Sequence, residues 1–295
     1  MNNSKFIVNE VIYTVRDRHS CFLKGVTDSF FGKIGKNLVV PSHVTNQADG
    51  RSYEVQFIAE NAFHSNQDLE SVVLPETIVG IRQGAFMHCL HLKEINLQDC
   101  KSLEYIEKQA FAYCPSLRNV SFNNNLAEIK DEAFYYSFNI CENIVFPKEL
   151  CYIGSKAFSE VNMKSVDFQG SKVDRIAPFA FRNCKKLEKV DFSDNISFIS
   201  GYAFADCISL KEAKLPSQAM KVFKYAFADC KNLRKVSIPL TIETIDEDAF
   251  KNCNSIEHVF FSKELVERFD ANLIFNDLFK AGLRTREVLL KIPTL

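Results

Sequence analysis

The stretch Ala226-Phe-Ala-Asp-Cys-Lys-Asn-Leu-Arg-Lys-Val-Ser-Ile-Pro-Leu-Thr-Ile-Glu-Thr-Ile245 decides the fold, because its pattern, A-F-x-x-C-x-x-L-x-x-V-x-L-P-x-x-I-x-x-I with mostly polar x, is copied along the chain. The Ala-Phe anchor returns at Phe63, Phe86, Phe111, Phe134, Phe158, Phe181, Phe204, Phe227 and Phe250, with successive anchors 23 to 25 residues apart. Self-similarity at a fixed period of this length marks an architecture of stacked repeats. It also explains a biased composition of 27 Phe and 10 Cys with no Trp.

Each part of the pattern has a physical meaning. Leu233, Val236 and Ile238, like Leu92, Ile95 and Leu97 or Leu187, Val190 and Phe192, put alternate apolar residues on one face of a short strand. Proline follows that strand at Pro75, Pro147, Pro216 and Pro239, where its fixed φ ends the extension without breaking a ladder bond. The pairs Ile78/Ile81, Leu150/Ile153, Ile196/Ile199 and Ile242/Ile245 recur at turn-like spacing, which predicts a helical or 3-10 return segment. A unit this small cannot bury its own apolar face and must stack on its neighbours. The predicted fold is an α/β leucine-rich-repeat solenoid. Its curved parallel β-sheet lies on the concave face, and short helical or 3-10 return segments lie on the convex face.

From Leu38-Val-Val-Pro-Ser-His-Val44 through Phe261 the pattern resembles the BspA-type leucine-rich repeats of bacteria and parasitic protists. Val11–Val15 and Tyr53–Ile58 are similar to the lead-in such proteins carry. The resemblance implies a binding role, several bacterial members being surface adhesins for host proteins. Residues 1–10 lack the positive region and apolar run of a secretory signal, unlike the exported members. The expected function is therefore a non-enzymatic protein-protein interaction module that binds a protein ligand through the concave face, in the cytoplasm. The alternative is a cell-surface adhesin or host-receptor-binding surface antigen that reaches the surface by a non-classical route.

Charge and hydropathy narrow the classes further. With 36 Lys and Arg against 37 Asp and Glu, the formal charge of −1 supplies no field for nucleic acid. No apolar run reaches the ~18 residues of a transmembrane helix, so membrane insertion is not expected. Three segments are predicted: an N-terminal capping hairpin over 1–37 (Phe6 to Val15, then Cys21 to Val26), the solenoid over 38–262, and a C-terminal helical cap over 263–295. The helix reads from Asp270 as N-cap to Gly282 just past its end. Partner binding or self-association is the alternative use of that helix.

No cofactor or metal is predicted. Cys89, Cys114, Cys184, Cys207, Cys230 and Cys253 each fall three residues after an anchor phenylalanine. Equivalent positions in adjacent coils have parallel Cβ vectors, whereas a disulfide needs them to converge to about 3.8 Å, so buried free thiols in a reducing compartment are expected. His88-Cys89-Leu90-His91 with Cys114 is the one cluster that suggests zinc, but Cys89 belongs to the repeat and both histidines occupy polar x positions. Gly32-Lys-Ile-Gly35 lacks phosphate-loop spacing, and no nucleophile-elbow or zinc-protease motif occurs.

Binding is expected where x positions of the strands face solvent. One row is Val73, Asn96, Ser121, Val145, Asp167, Asp191, Lys214, Ser237 and Phe260; the row before it includes Lys189 and Lys235. Asp167 and Asp191 fall one coil apart, a like-charge pair that Lys189, Lys214 or a basic ligand would relieve. Val73 and Val145 offer apolar contact of the kind that anchors interfaces.

Overall fold

The computed structural model describes residues 4–33, 35–140, 143–261, 264, 265 and 280. Among these, the predicted strands form the concave side in three parallel sheets. Asn37–Val39, Ser71–Val73 and Glu94–Ile95 make the first; Ile144–Val145, Ser165–Asp167 and Lys189–Asp191 the second; Glu212–Lys214, Lys235–Ile238 and His258–Phe261 the third. Register follows the repeat, with Val39 opposite Val73, Asp167 opposite Asp191, and Ser237 opposite Phe260. The 25-residue coil between Phe86 and Phe111 takes a 3-10 helix, Leu97–Asp99, directly after its concave strand.

The return side combines turns with a second parallel sheet that the Ile-x-x-Ile spacing does not reveal. The second apolar residue of each pair lies in a two-residue strand. Gly80–Ile81, Tyr105–Ile106, Glu128–Ile129 and Tyr152–Ile153 extend the longer strand Arg51–Ile58. Arg175–Ile176, Phe198–Ile199, Lys221–Val222 and Thr244–Ile245 form a further sheet. In seven of the eight the Ile or Val faces the core, Ile245 only partly, and its predecessor faces outward, the smallest unit of strand alternation; in the eighth the predecessor is Gly80, which has no side chain.

The Ala-Phe segment is a turn whose N–H groups alternate in direction. At Phe86, the N–H groups of Ala85, Met87 and Cys89 bond three residues back, to Arg82, Gly84 and Phe86, in 3-10 fashion. Those of Gly84, Phe86 and His88 instead donate to the carbonyls of Lys108, Ala110 and Ala112 in the next coil, at 3.0, 2.8 and 2.9 Å. The alternation needs a left-handed residue two before and two after each anchor, and both positions have positive φ in all nine copies. A non-glycyl residue gives up roughly 1 to 2 kcal/mol there. The inter-coil bonds offset that cost by satisfying donors that would otherwise be buried unpaired.

Inside the turns the nine anchor phenylalanines stack face to face from Phe63 to Phe250, with neighbouring centroids 5.1 to 5.6 Å apart and planes within 11°. The Phe side chains are buried, as are the Ala residues beside them from Ala85 onward. The core is one continuous column running the length of the solenoid.

The repeat cysteine has a partner as well as a place. Cys89 Sγ donates to the Phe63 carbonyl at 3.0 Å, and Cys207 and Cys230 donate to Phe181 and Phe204 at 3.2 Å. Where Ser137 stands in this position, its hydroxyl makes the same bond to Phe111 at 2.6 Å. Burial pushes the Cys89 thiol up to about 12, and raises those of Cys207 and Cys230 well above the ordinary range. These thiols are therefore closed to thiolate chemistry at neutral pH.

At each end a described segment meets the outermost coil. Lys5–Val8, Val11–Val15 and Ser20–Val26 form an antiparallel meander, and its last strand pairs in parallel with Arg51–Ile58. Gly25, at φ +134°, lies so close to the first coil that a Cβ would sit 2.6 Å from the Ala62 carbonyl oxygen. At the other end, the predicted helix from Asp270 to Gly282 lies outside the described residues except for Lys280. The Lys280 carbonyl accepts the Asp248 N–H at 3.0 Å, as the next coil would.

Candidate binding surface on the concave sheet

The apolar residues of each concave strand point into the core, which leaves their neighbours on the open face. Within the first sheet this produces an apolar patch, with Val39 68% exposed beside Val73, its registered partner. Val39 was missed by the sequence reading, although Leu38-Val-Val40-Pro41 carries the strand-then-proline signal that places it. Val145, 63% exposed, stands alone on the edge strand of the second sheet.

Asn96 behaves differently from its neighbours in the row. Its side chain turns to the preceding coil, accepting from the Leu74 N–H at 2.7 Å and donating to the Leu74 carbonyl at 3.0 Å. The amide thus fills the place of a ladder residue. Ser121, next in the row, lies in a coil without a concave strand and is exposed.

Asp167 and Asp191 are brought side by side. Lys189 closes on Asp191 at 2.7 Å, and Asp167 accepts the N–H of Gln169 at 2.8 Å. The hydrogen bond and charge of Asp191, with the field of Asp167 behind them, hold the Lys189 ammonium above the ordinary lysine range. The like-charge pair is relieved within the chain. At the flank of the sheet Glu70 bridges Lys93 and Lys36 at 2.6 and 2.9 Å, and the two hydrogen bonds bring its carboxyl down to about 2.

Between the second and third sheets lies a groove of about 730 Å³. Lys189, Asp191, Lys214 and Ser237 from the predicted rows line it, with Phe192, Leu215, Pro216 and Pro239 beside them. Lys235 stands exposed on the neighbouring strand, and Phe260 is half-buried at the last. Lys214 and Lys235 make no ion pair among the described residues; Lys235 registers opposite Glu212 and Lys214 opposite Ser237, so Lys214 is the cationic group without an acidic residue across the ladder. No group of three or more His, Cys, Asp or Glu able to hold a metal ion occurs among the described residues. Among the described residues no helix is long and apolar enough to cross a membrane.

The family model described as BspA type leucine rich repeat region matches residues 51–164 and 151–278. Among solved structures, the chain is similar to a leucine-rich repeat protein of T. pallidum at 20% identity, covering 97% of this chain and 99% of that one, with a TM-score of 0.50. It is also similar to a leucine-rich repeat protein from Bacteroides ovatus (19% identity, 90% and 96% covered, TM-score 0.40). A leucine rich cell surface protein from Faecalibacterium prausnitzii is a third (20%, 87% and 94%, TM-score 0.41). At these identities the likeness is one of fold. No curated protein matches the chain.

Proposed function

The chain belongs to the BspA type leucine-rich repeat family, and from that membership we propose that it is a non-enzymatic scaffold that takes a protein ligand on the concave face of its solenoid. Protein-protein interaction is the general role that such solenoids serve, because stacked coils build an extended surface no single coil could offer. One observation carries the concave assignment: the groove between the second and third sheets is lined by residues of the rows that face solvent by strand alternation. It combines an apolar floor with charged walls, the composition of an interface with a desolvated centre and a polar rim.

A photo-crosslinking side chain at Lys214 is expected to capture the ligand in source cells, while the same group at Glu247, exposed on a turn of the return side, captures none. The partner so identified should bind Asp167→Lys/Asp191→Lys about tenfold more weakly, or ~1.4 kcal/mol. Equal capture from both positions, or unchanged affinity, moves the site off this face.

For the compartment we infer a reducing interior. Nine cysteines are free among the described residues, eight of them buried. Membrane-impermeant biotin on intact source cells should leave the protein unlabelled alongside a cytosolic marker. Labelling would replace this with the adhesin reading.

A further inference from the structure

On the flank between the Ala-Phe turn and the concave strand, the residues two and four after each anchor reach solvent. In the later coils they include Glu160, Lys185, Asp206, Asp229 and Lys231. In three consecutive earlier coils they are His88 and Leu90, Tyr113 and Pro115, Tyr136 and Phe138, with no Asp, Glu, Lys or Arg among them. His88 stacks on Tyr113 at 4.5 Å and Tyr113 on Tyr136 at 5.5 Å. Tyr135 braces the outer end, edge-on to both tyrosines. Leu90, Tyr136 and Phe138 are 40, 40 and 41% exposed. The Ser116 hydroxyl ties the row across coils by bonding the Leu90 carbonyl at 2.6 Å.

We propose that this uncharged aromatic flank docks an extended, proline-rich, uncharged segment of a partner protein, at a site separate from the concave face. Three features choose this occupant. A charged segment would lose hydration against six side chains that include no Asp, Glu, Lys or Arg, and Glu132 and Glu160 at the Tyr135 edge would also repel an acidic one. Six residues fall well short of the roughly 20 to 30 per side of a stable folded interface, so a second copy of this chain is too large a partner for the patch. The spacing also fits. Two coils advance about 9.6 Å at ~4.8 Å each, and one turn of polyproline II advances about 9.3 Å. Every third residue of such a segment lying along the axis therefore meets an equivalent position two coils on. The hydroxyls of Tyr113 and Tyr136 make no hydrogen bond among the described residues and can donate to the carbonyls that a polyproline segment leaves exposed. Aromatic grooves recognise such segments at low entropic cost because the ligand is already extended.

The test uses the full chain and an immobilised, end-capped peptide of repeated Ala-Pro-Pro, with a Gly-Ser peptide and a Glu-rich peptide as comparisons. The Ala-Pro-Pro peptide is expected to be retained saturably below about 1 mM and the other two not. Leu90→Asp/Phe138→Asp, at side chains already open to solvent, should weaken retention at least about tenfold with unchanged circular dichroism. Tyr136→Phe, which removes only a hydroxyl, should weaken it about threefold. Asp167→Lys/Asp191→Lys should leave it unchanged, so this reading and the concave one fail separately. The proposal is overturned by no retention up to about 1 mM, by equal retention of the Gly-Ser or Glu-rich peptide, or by indifference to Leu90→Asp/Phe138→Asp. Self-association that the same double variant abolishes would assign the flank to a second copy instead.

Discussion

Phe181→Ala is expected to destabilise the protein by about 4 kcal/mol, the upper part of the range for deleting a buried aromatic ring. The ring is wholly buried, stacks on Phe158 at 5.6 Å and Phe204 at 5.3 Å, and meets Phe146 and Phe168 edge-on. Its neighbours belong to rigid coils locked by backbone bonds on two sides, so the cavity cannot collapse. Phe63→Ala, at the first position of the stack, removes one face-to-face contact where Phe181→Ala removes two. It should therefore cost less. In a solenoid, where each coil touches only its neighbours, the central variant should also split the urea transition into two steps. Equilibrium urea unfolding followed by circular dichroism measures both quantities. Equal costs at the two positions, or a single unbroken transition in the central variant, would contradict the view that the phenylalanine column carries coil-to-coil cooperativity.

The second large effect concerns backbone sign. Lys156 lies two before the anchor Phe158 with φ +55°, its N–H donating to the Pro178 carbonyl of the next coil at 3.1 Å. Its side chain is open to water and pairs with Glu132 only at 3.6 Å, a contact worth little. Lys156→Gly should stabilise by about 1 kcal/mol, because glycine enters this conformation freely and the relief exceeds its extra entropy in the unfolded chain. Lys156→Pro should destabilise by at least about 3 kcal/mol, since it removes the inter-coil donor and demands φ near −65°. Thermal melts of the pair decide it. Destabilisation by glycine would mean that the side chain, rather than the backbone, holds this turn.

These left-handed positions show why part of the fold was legible in the sequence and part was not. The apolar letters of the repeat placed the concave strands, the buried phenylalanine column and the solvent-facing rows, because each letter is fixed by burial. The left-handed positions hold Asn61, Gln109, Glu132, Phe179 and Tyr202 among others, with glycine at Gly84 alone. No residue type marks them, since the stack imposes the conformation against local preference. The second sheet was hidden for another reason: strands of two residues contain no period to detect. At the candidate surface, a polar letter at Asn96 looked like its neighbours, and only the coil beside it shows that the amide is spent on Leu74. The partners of Glu70, Lys36 and Lys93, lie in the coils on either side and likewise become visible only in register, whereas Lys189 stands two residues from Asp191 on the same strand and was legible as its partner.

The one-way hydrogen bonds of the Ala-Phe turns give the solenoid two unlike ends. On that side each coil donates toward the C-terminal end, so a chain cut after any coil shows a row of N–H groups there. A chain stripped of its first strands shows a row of carbonyls at the other end. The two rows are complementary and related by the same step that joins one coil to the next, a head-to-tail contact that never closes on itself. Gly25 beside the Ala62 carbonyl and the Lys280 carbonyl on the Asp248 N–H each occupy one position of those rows, the positions at which such a head-to-tail contact would begin.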